Sequence, residues 1–178
     1  MSKTTQPGAA PRRRKKAIPA KVAVQPALPH RTPLRIRPVR LEDLKAVIDM
    51  DAMVTGIHKL DYWNSLYRRY ADAVATGQHF LVATAGSEVI GCVIGEVRDW
   101  EFGSPPCGWV FAIDVRPDAR LLGTATLLLQ ALCQCFKRAG VSKVRTLLSR
   151  ENTLILSFFR SQGMMISPFI PLEMDLDH

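Results

Sequence analysis

The feature that most restricts the fold is an apolar strand pattern that runs into a glycine at the start of a long apolar helix pattern. Residues 109–115 are typical of a buried strand, and Arg116-Pro117-Asp118 ends it. Gly123 then precedes helical spacing over about 122–138. Strand, short loop and helix in succession form the unit of α/β sheets. The sequence therefore favours an α/β domain.

The rest of the chain predicts further strands and helices on either side of this unit. We expect strands at 34–37, 79–84, 89–97, 144–148, 164–166 and 170–174, and helices at about 41–48, 60–75 and 152–161. Short loops with glycine or proline separate them. This order fits a mixed sheet with helices on both faces.

The net charge of +8 belongs to one end of the chain. Residues 1–33 hold eight of the 24 lysines and arginines and no acid, whereas the other 16 basic residues are balanced by all 16 acids. We interpret 1–33 as a disordered, basic, proline- and alanine-rich tail before a folded domain at 34–178. The tail predicts either a solvated extension or, less favoured, a contact with nucleic acid or another acidic partner.

Metal binding and membrane insertion are not indicated. The four cysteines lack the paired spacing of a zinc site, and the four histidines are scattered, so we expect no metal. No apolar run approaches the roughly 18 residues of a membrane span. With no secretory signal pattern either, we expect reduced thiols and a cytoplasmic protein that has no membrane partner.

The loop before the long helix is a candidate anion site. The first amides of a helix have no internal acceptors, and the helix dipole favours negative charge there. Gly123 lets a phosphate approach the backbone, Ala125 keeps the next position small, and Arg120 adds a positive charge. An ordinary structural turn is the alternative interpretation.

The residues of this loop resemble the acetyl-CoA pyrophosphate loop of the GNAT superfamily of N-acetyltransferases. The family pattern Gln/Arg-x-x-Gly-x-Gly/Ala is matched by Arg120, Gly123 and Ala125. Downstream, Asn152 and Phe159 match a second family pattern of asparagine followed seven residues later by an aromatic residue. The resemblance covers about 145 residues by pattern and element order. It implies the GNAT fold: a mixed, mostly antiparallel sheet with a splayed parallel strand pair.

The resemblance also implies acetyl-CoA as cosubstrate and transfer of its acetyl group to a primary amine by direct attack. The pantetheine arm would pair with backbone groups near Ile113 and Val115, between strands 109–115 and 143–149. The pyrophosphate would lie on amides from 121 to 125. The predicted cofactor-binding residues are Ile113, Val115, Arg120, Leu121, Leu122, Gly123, Thr124, Ala125, Asn152 and Phe159.

The chain departs from the family pattern at the groups that move protons. Many members place at the position of Phe159 a tyrosine that protonates the leaving thiolate, and a phenylalanine cannot. Histone-acetylating members carry a glutamate where this chain has Trp109. Glu96 and Glu101 lie near the expected acceptor entrance and are our candidate catalytic bases, against the alternative of plain surface carboxylates.

The acceptor stays open at this level: a protein or peptide amine, or a small-molecule amine. A non-catalytic acyl-CoA-binding or regulatory domain is the main alternative, and the missing tyrosine favours it. A nucleic-acid- or ribosome-associated protein, targeted by the basic tail, is a third reading. Many family members form dimers, so a homodimer is a further expectation without a residue to support it.

Overall fold

The computed structural model describes residues 33–71 and 77–176. Its strands are β1 (Leu34–Pro38), β2 (Gln78–Ala85), β3 (Glu88–Arg98), β4 (Cys107–Val115) and β5 (Val144–Arg145). Its α-helices are α1 (Leu44–Thr55), α2 (Leu60–Tyr70), α3 (Thr124–Arg138) and α4 (Thr153–Ser161). No helix in these ranges combines the length and the apolar character needed to cross a bilayer.

The strands form one mixed sheet in the order β1-β2-β3-β4-β5. The first four are antiparallel neighbours, and β5 runs parallel to β4. The parallel pair is joined through α3, as a crossover connection between parallel strands requires. The predicted GNAT-type sheet is thus confirmed.

Each face of the sheet carries its own apolar core because apolar side chains occupy both faces of the central strands. On one face, β2 and β3 pack with α1 and α2 around Val47, Trp63 and Phe80. On the other, they pack with α3 and α4 around Leu128 and Phe136. The helices therefore cover both faces, as the order of the predicted elements indicated.

Phe136 on α3 explains why the second residue of β4, Gly108, is a glycine. A Cβ atom at Gly108 would lie 2.3 Å from the phenylalanine ring. The missing side chain lets the fully buried ring lie directly on the parallel strand pair. This contact fixes α3 over the place where β4 meets β5.

Two sequence predictions about the end of the chain are wrong. The segments 164–166 and 170–174 form no strand in the described part of the chain, because neither finds a strand to pair with. The strand predicted at 144–148 is limited to Val144–Arg145. It ends there because Thr146 bonds the Val110 carbonyl with its side-chain Oγ1 (2.8 Å) instead of continuing the ladder.

Two other predictions lie wholly or partly beyond the described residues. The basic tail predicted at 1–33 lies outside the described residues except for Pro33. The helix expected at 60–75 is observed to Tyr70, and 72–76 are outside the described ranges.

Candidate functional site

An unpaired backbone edge lies along the second half of β4. The pairing of β4 with β5 covers Gly108 and Trp109 only, opposite Val144 and Arg145. Beyond this point, no strand in the described chain adjoins residues 111–115 on that side. Backbone polar groups of such an edge can pair with an extended ligand as they would with another strand. We call the open space along this edge, beyond the last contact of β4 with β5, the groove.

A β-bulge determines which backbone groups of β4 face this groove. Ile94 is opposite Ala112, but the next residue, Gly95, is opposite Val110, so Phe111 is the extra residue. Past the bulge, the Arg116 N–H donates to the Ile90 carbonyl of β3 (2.9 Å).

The direction of backbone groups alternates along a strand, and this alternation orients the residues just before Arg116. Like Arg116, residues 112 and 114 direct their N–H and C=O groups toward β3. Ile113 and Val115 direct theirs into the groove, which is the arrangement that the predicted pantetheine contact requires.

The groove ends at a turn that exposes amides at the start of α3. Leu121 (φ 63°) and Gly123 (φ 82°) both adopt left-handed backbone conformations. The first helical hydrogen bond runs from the Leu127 N–H to the Gly123 carbonyl (3.0 Å), so the preceding amides have no acceptor within the helix. A Cβ at Gly123 would meet nothing within 4 Å. This open space in front of free amides can accept an anion.

Arg120 connects the turn to the groove. Its Nε donates to the Val115 carbonyl (3.2 Å), a group that faces the open edge. Its side chain is exposed, and the guanidinium can turn toward an anion on the α3 amides. Thr124, in contrast, is buried and its Oγ1 bonds the Ala119 carbonyl (3.5 Å), so it contributes a backbone amide only.

Glu96 lies in a fixed hydrogen-bond network on the α2 side of the sheet. Tyr70 Oη donates to it (2.5 Å), and so does Arg98 Nε (2.8 Å). Burial alone would raise the pKa of Glu96, but the two hydrogen bonds outweigh burial and lower it. Burial and the Glu96 carboxylate raise the pKa of Tyr70 to about 12. The ring of Tyr70 packs on Phe111, the bulged residue (5.3 Å between centroids), so the network also supports the groove wall.

Glu101 lies in a strained turn beyond β3. Its neighbours Trp100 (φ 49°) and Phe102 (φ 47°) both have left-handed backbone conformations. The Glu101 side chain is exposed, and its Oε1 lies 3.8 Å from Arg98 Nη1. The two predicted bases thus share one arginine, but the Glu96 side chain is 13% exposed and that of Glu101 is 42% exposed.

Asp114 is a carboxylate near the groove that our sequence reasoning did not single out. It lies on β4 between Ile113 and Val115, on the face covered by α1 and α2. Burial, and then the Asp51 carboxylate, raise the pKa of Asp114, although Lys59 and Arg120 act in the opposite direction. The signal was available, since an acid interrupts an otherwise apolar strand.

The buried carboxylate of Asp51 is one cause of the raised pKa of Asp114. Asp51 accepts from Trp63 Nε1 (2.9 Å) and from Lys59 Nζ (3.1 Å). The charge on Asp51 is therefore paired and held in place. Among the described residues, no side chain makes an equivalent hydrogen bond to Asp114, so its carboxylate is free to accept a proton.

The two predicted residues of α4 differ in position. Asn152 is exposed at the helix start, where its Oδ1 accepts from the Ile155 N–H (3.3 Å). Phe159 is 2% exposed and packs in the core beneath α3, against Phe158. Asn152 thus has surface available for a ligand, whereas Phe159 supports the helix from below.

Comparison with known proteins decides the family. The sequence model of the acetyltransferase (GNAT) family matches residues 46–164, which include β2 to β5, the turn at Gly123, α3 and the whole of α4. The chain belongs to the GNAT acetyltransferase family. No curated protein sequence matches the chain significantly.

Solved structures agree with the fold at low sequence identity. An aminoglycoside N-acetyltransferase AAC(6')-Iy in complex with CoA is 20% identical, with a TM-score of 0.72 over 84% of this chain and 99% of that one. AAC(6')-Ih from Acinetobacter baumannii is 16% identical, with a TM-score of 0.67 over 81% and 99%. An acetyltransferase of Trypanosoma brucei is 20% identical, with a TM-score of 0.60 over 81% and 100%.

The residues present fit the cosubstrate of this family. GNAT proteins use acetyl-CoA, and CoA is bound in one of the matched structures. The groove offers backbone groups for an extended arm, and the turn at Gly123 offers free amides for phosphates. The described residues contain no cluster of three or more His, Cys, Asp or Glu that could hold a metal ion.

Proposed function

We propose that this GNAT protein transfers the acetyl group of acetyl-CoA to a primary amine by direct attack. The observation that carries the proposal is the unpaired edge of β4, which runs into the free amides at the start of α3. An extended arm with a phosphate at its end matches this combination of a strand edge and an anion site. Membership of the family supports the same assignment.

The chain's own groups bind the cosubstrate in two places. Amides from 121 to 125, together with Arg120, bind the diphosphate. Backbone groups of Ile113 and Val115 pair with the pantetheine arm, and Asn152 bonds it from α4. Thr124 contributes its amide, Leu122 lies at the exposed rim of the turn, and Phe159 holds α4 in place. Bound acetyl-CoA supplies the thioester carbon that the amine attacks, with coenzyme A departing as thiolate.

The Ile113 N–H is placed to stabilise the developing charge. It points into the groove one residue away from Asp114, with no strand partner in the described chain. A backbone donor fixed in a strand stabilises an oxyanion without rearranging during the reaction. No side-chain acid is required at Phe159, because a thiolate can leave without prior protonation.

We assign the proton-accepting role to Asp114 before Glu96 and Glu101. A protonated amine must lose a proton before it attacks, and a base with a raised pKa accepts that proton better. Asp114 has the raised pKa and lies next to the groove, whereas hydrogen bonds lower the pKa of Glu96. Glu101 is exposed on the far side of Arg98. Glu96 and Glu101 stay predicted bases, and the variants Glu96→Gln and Glu101→Gln test them in the same thiol-release assay as Asp114→Asn.

The acceptor carries positive charge in this proposal. Asp51 and Glu96 are paired with Lys59 and Arg98, whereas Asp114, beside the groove, has no cation bonded to it among the described residues and can attract an ammonium group. The panel of acceptors should therefore hold a peptide N-terminus, a lysine peptide, a polyamine and an aminoglycoside. The last is included because several matched structures are named for that acceptor.

The first test is calorimetric titration of acetyl-CoA into the full chain and into Gly123→Trp, which fills the space before the amides. We expect binding by the wild type and no binding by this variant. Gln130→Trp, on the exposed face of the same helix, is the matched control and should bind normally. Arg120→Glu, which leaves the backbone unchanged, should weaken binding by about tenfold or more because it repels the diphosphate.

The second test is thiol release with the acceptor panel. Release with one class of amine identifies the acceptor, and Asp114→Asn should then abolish turnover while acetyl-CoA still binds. Binding without release for every amine would instead favour a non-catalytic acyl-CoA-binding domain. If the wild type does not bind acetyl-CoA, the turn at Gly123 is only structural and the proposal is wrong.

A further inference from the structure

The ladder between β4 and β5 stops after two residue pairs, and its register shows which hydrogen bond would come next. Gly108 is opposite Val144, and the Gly108 N–H donates to the Lys143 carbonyl (2.9 Å). Because backbone groups alternate in direction along a strand, the N–H and C=O of Val110 also face β5. In a parallel ladder that continued, the Val110 carbonyl would accept from the Leu147 N–H. The parallel strands would therefore close further at this bond.

A side-chain hydroxyl occupies this carbonyl instead. Thr146 Oγ1 donates to the Val110 carbonyl (2.8 Å), whereas the Leu147 N–H bonds no backbone carbonyl of the described chain. Val110 is only 1% exposed, so its carbonyl needs a donor from the protein. Two neighbouring donors are thus available for one buried acceptor, and the hydroxyl is the one that bonds it.

The residue before Thr146 holds the two strands together. Arg145 is opposite Trp109 in the ladder. Its guanidinium donates to Ser104 Oγ (3.0 Å) and to Cys107 Sγ (3.3 Å). Cys107 is the first residue of β4 and Ser104 lies just before it, so these bonds fix β5 to the start of β4. Consecutive residues of the chain therefore have opposite effects, since Arg145 joins the strands and Thr146 separates them.

The separation begins where the groove opens. Val110 immediately precedes the bulged Phe111, and beyond the bulge Ile113 and Val115 direct their backbone groups toward this edge. If Leu147 were bonded to Val110, β5 would continue beside the bulge at the spacing of paired strands, about 4.7–4.9 Å. That spacing leaves no room for an extended ligand arm between the strands. The groove therefore requires the ladder to stop at Val110.

Satisfying the Val110 carbonyl does not by itself require a hydroxyl. The Leu147 N–H is the next donor in register and could take the same acceptor. The hydroxyl bond leaves that N–H without a ladder partner in the described chain, which is a loss in backbone hydrogen bonding. What the hydroxyl adds is distance, because a side chain that spans the gap keeps the two backbones further apart than a direct bond would.

We propose that Thr146 is a positioning residue that stops the parallel ladder and keeps the groove open for acetyl-CoA, while Arg145 fixes the point at which the strands part. Thr146 acts through the Val110 carbonyl and takes no part in the chemistry. The proposal rests on the proposed function where it assigns the groove to acetyl-CoA. The separation of the strands is a property of the free protein and can be measured without a ligand.

The first test follows amide hydrogen exchange by NMR in the full chain without ligand. Thr146→Val removes the hydroxyl and keeps the shape of the side chain, so the Val110 carbonyl should take the Leu147 N–H. Exchange at Leu147 should then slow by at least about tenfold. Thr146→Ser keeps the hydroxyl and should exchange like the wild type. Thr55→Val is the matched control, because the Thr55 hydroxyl likewise bonds a backbone carbonyl, that of Asp51 in α1 (3.0 Å).

The second test measures the affinity of the same variants for acetyl-CoA by calorimetry. Thr146→Val should weaken binding by about tenfold or more, whereas Thr146→Ser and Thr55→Val should bind like the wild type. Unchanged exchange at Leu147 in Thr146→Val would overturn the proposal, and so would slowed exchange with unchanged affinity. A wild type that binds no acetyl-CoA would refute the proposed function, and slowed exchange at Leu147 would then still show that Thr146 stops the ladder.

Discussion

Gly108→Ala should destabilise the domain because its methyl group would collide with the ring of Phe136. The new Cβ would lie 2.3, 2.6 and 2.7 Å from three ring atoms of Phe136, so something must move. The ring is fully buried between α3 and the sheet and cannot turn into solvent. Overpacking of this kind costs about 1–3 kcal/mol, which lowers Tm by roughly 3–10 °C in a domain of this size.

The assay is a double-mutant cycle measured by chemical denaturation. Phe136→Leu removes the atoms that the methyl group meets, so Gly108→Ala should cost about 1–2 kcal/mol less in that background. Gly91→Ala is the matched control on β3, where the nearest atoms lie at 3.0–3.3 Å and two of the three belong to side-chain ends. Its cost should be smaller and should not change with Phe136→Leu.

Two results would refute this reasoning. A coupling energy below about 0.5 kcal/mol would mean that the ring does not set the cost at Gly108. An equal coupling at Gly91 would mean that Phe136→Leu relaxes the whole sheet rather than one contact. If the reasoning is correct, Gly108→Ala should also weaken acetyl-CoA binding, and the double variant should recover it, because this contact holds the parallel strands together at the base of the groove.

Three further predictions concern titration and helix capping. Because burial raises the pKa of Asp114, its ionisation destabilises the fold as pH rises, so Asp114→Asn should raise Tm at neutral pH and not in acid. Tyr70→Phe should lower the free energy of unfolding by about 1–3 kcal/mol at neutral pH, because the hydrogen bond to Glu96 is lost. In the wild type, ionisation of Tyr70 should lower the free energy of unfolding as pH rises from 10.0 to about 12. Denaturation at high pH should show this fall in the wild type and not in Tyr70→Phe. Asn152→Ala should cost about 1 kcal/mol through the lost cap on Ile155, whereas Asn152→Asp should keep the cap and still weaken acetyl-CoA binding in calorimetry.

The sequence predicted the parts of the fold that depend on local pattern. The strand at 109–115, the glycine at 123 and the helix after it are dictated by apolar spacing and by backbone freedom within about 30 residues. The family resemblance rested on this stretch, on Asn152 and Phe159 and on the element order, and the family match confirms it. Local chemistry was sufficient here because one segment forms both the strand edge and the turn.

Features that depend on pairing between distant segments could not be predicted. The bulge at Phe111 exists only in register with β3, and Tyr70 reaches Glu96 across 26 positions of sequence. The final strands were predicted from a sound pattern at 170–174, but a strand also needs an available edge. An alternating apolar pattern shows which face of a strand should be buried, but it does not show which segment of the protein covers that face.

The contrast between Glu96 and Asp114 shows why our proposal of Asp114 as the base depends on the structure. Both are carboxylates on neighbouring strands, and burial raises the pKa of each. Tyr70 and Arg98 donate hydrogen bonds to Glu96, and these bonds lower its pKa despite burial, so that its carboxylate is a weak base. Through Tyr70, the same network supports Phe111 at the groove wall. Asp114 has no such donors among the described residues, and the nearby Asp51 carboxylate adds to the effect of burial in raising the pKa of Asp114. An environment that destabilises a carboxylate makes it the better proton acceptor, and here that environment lies beside the groove.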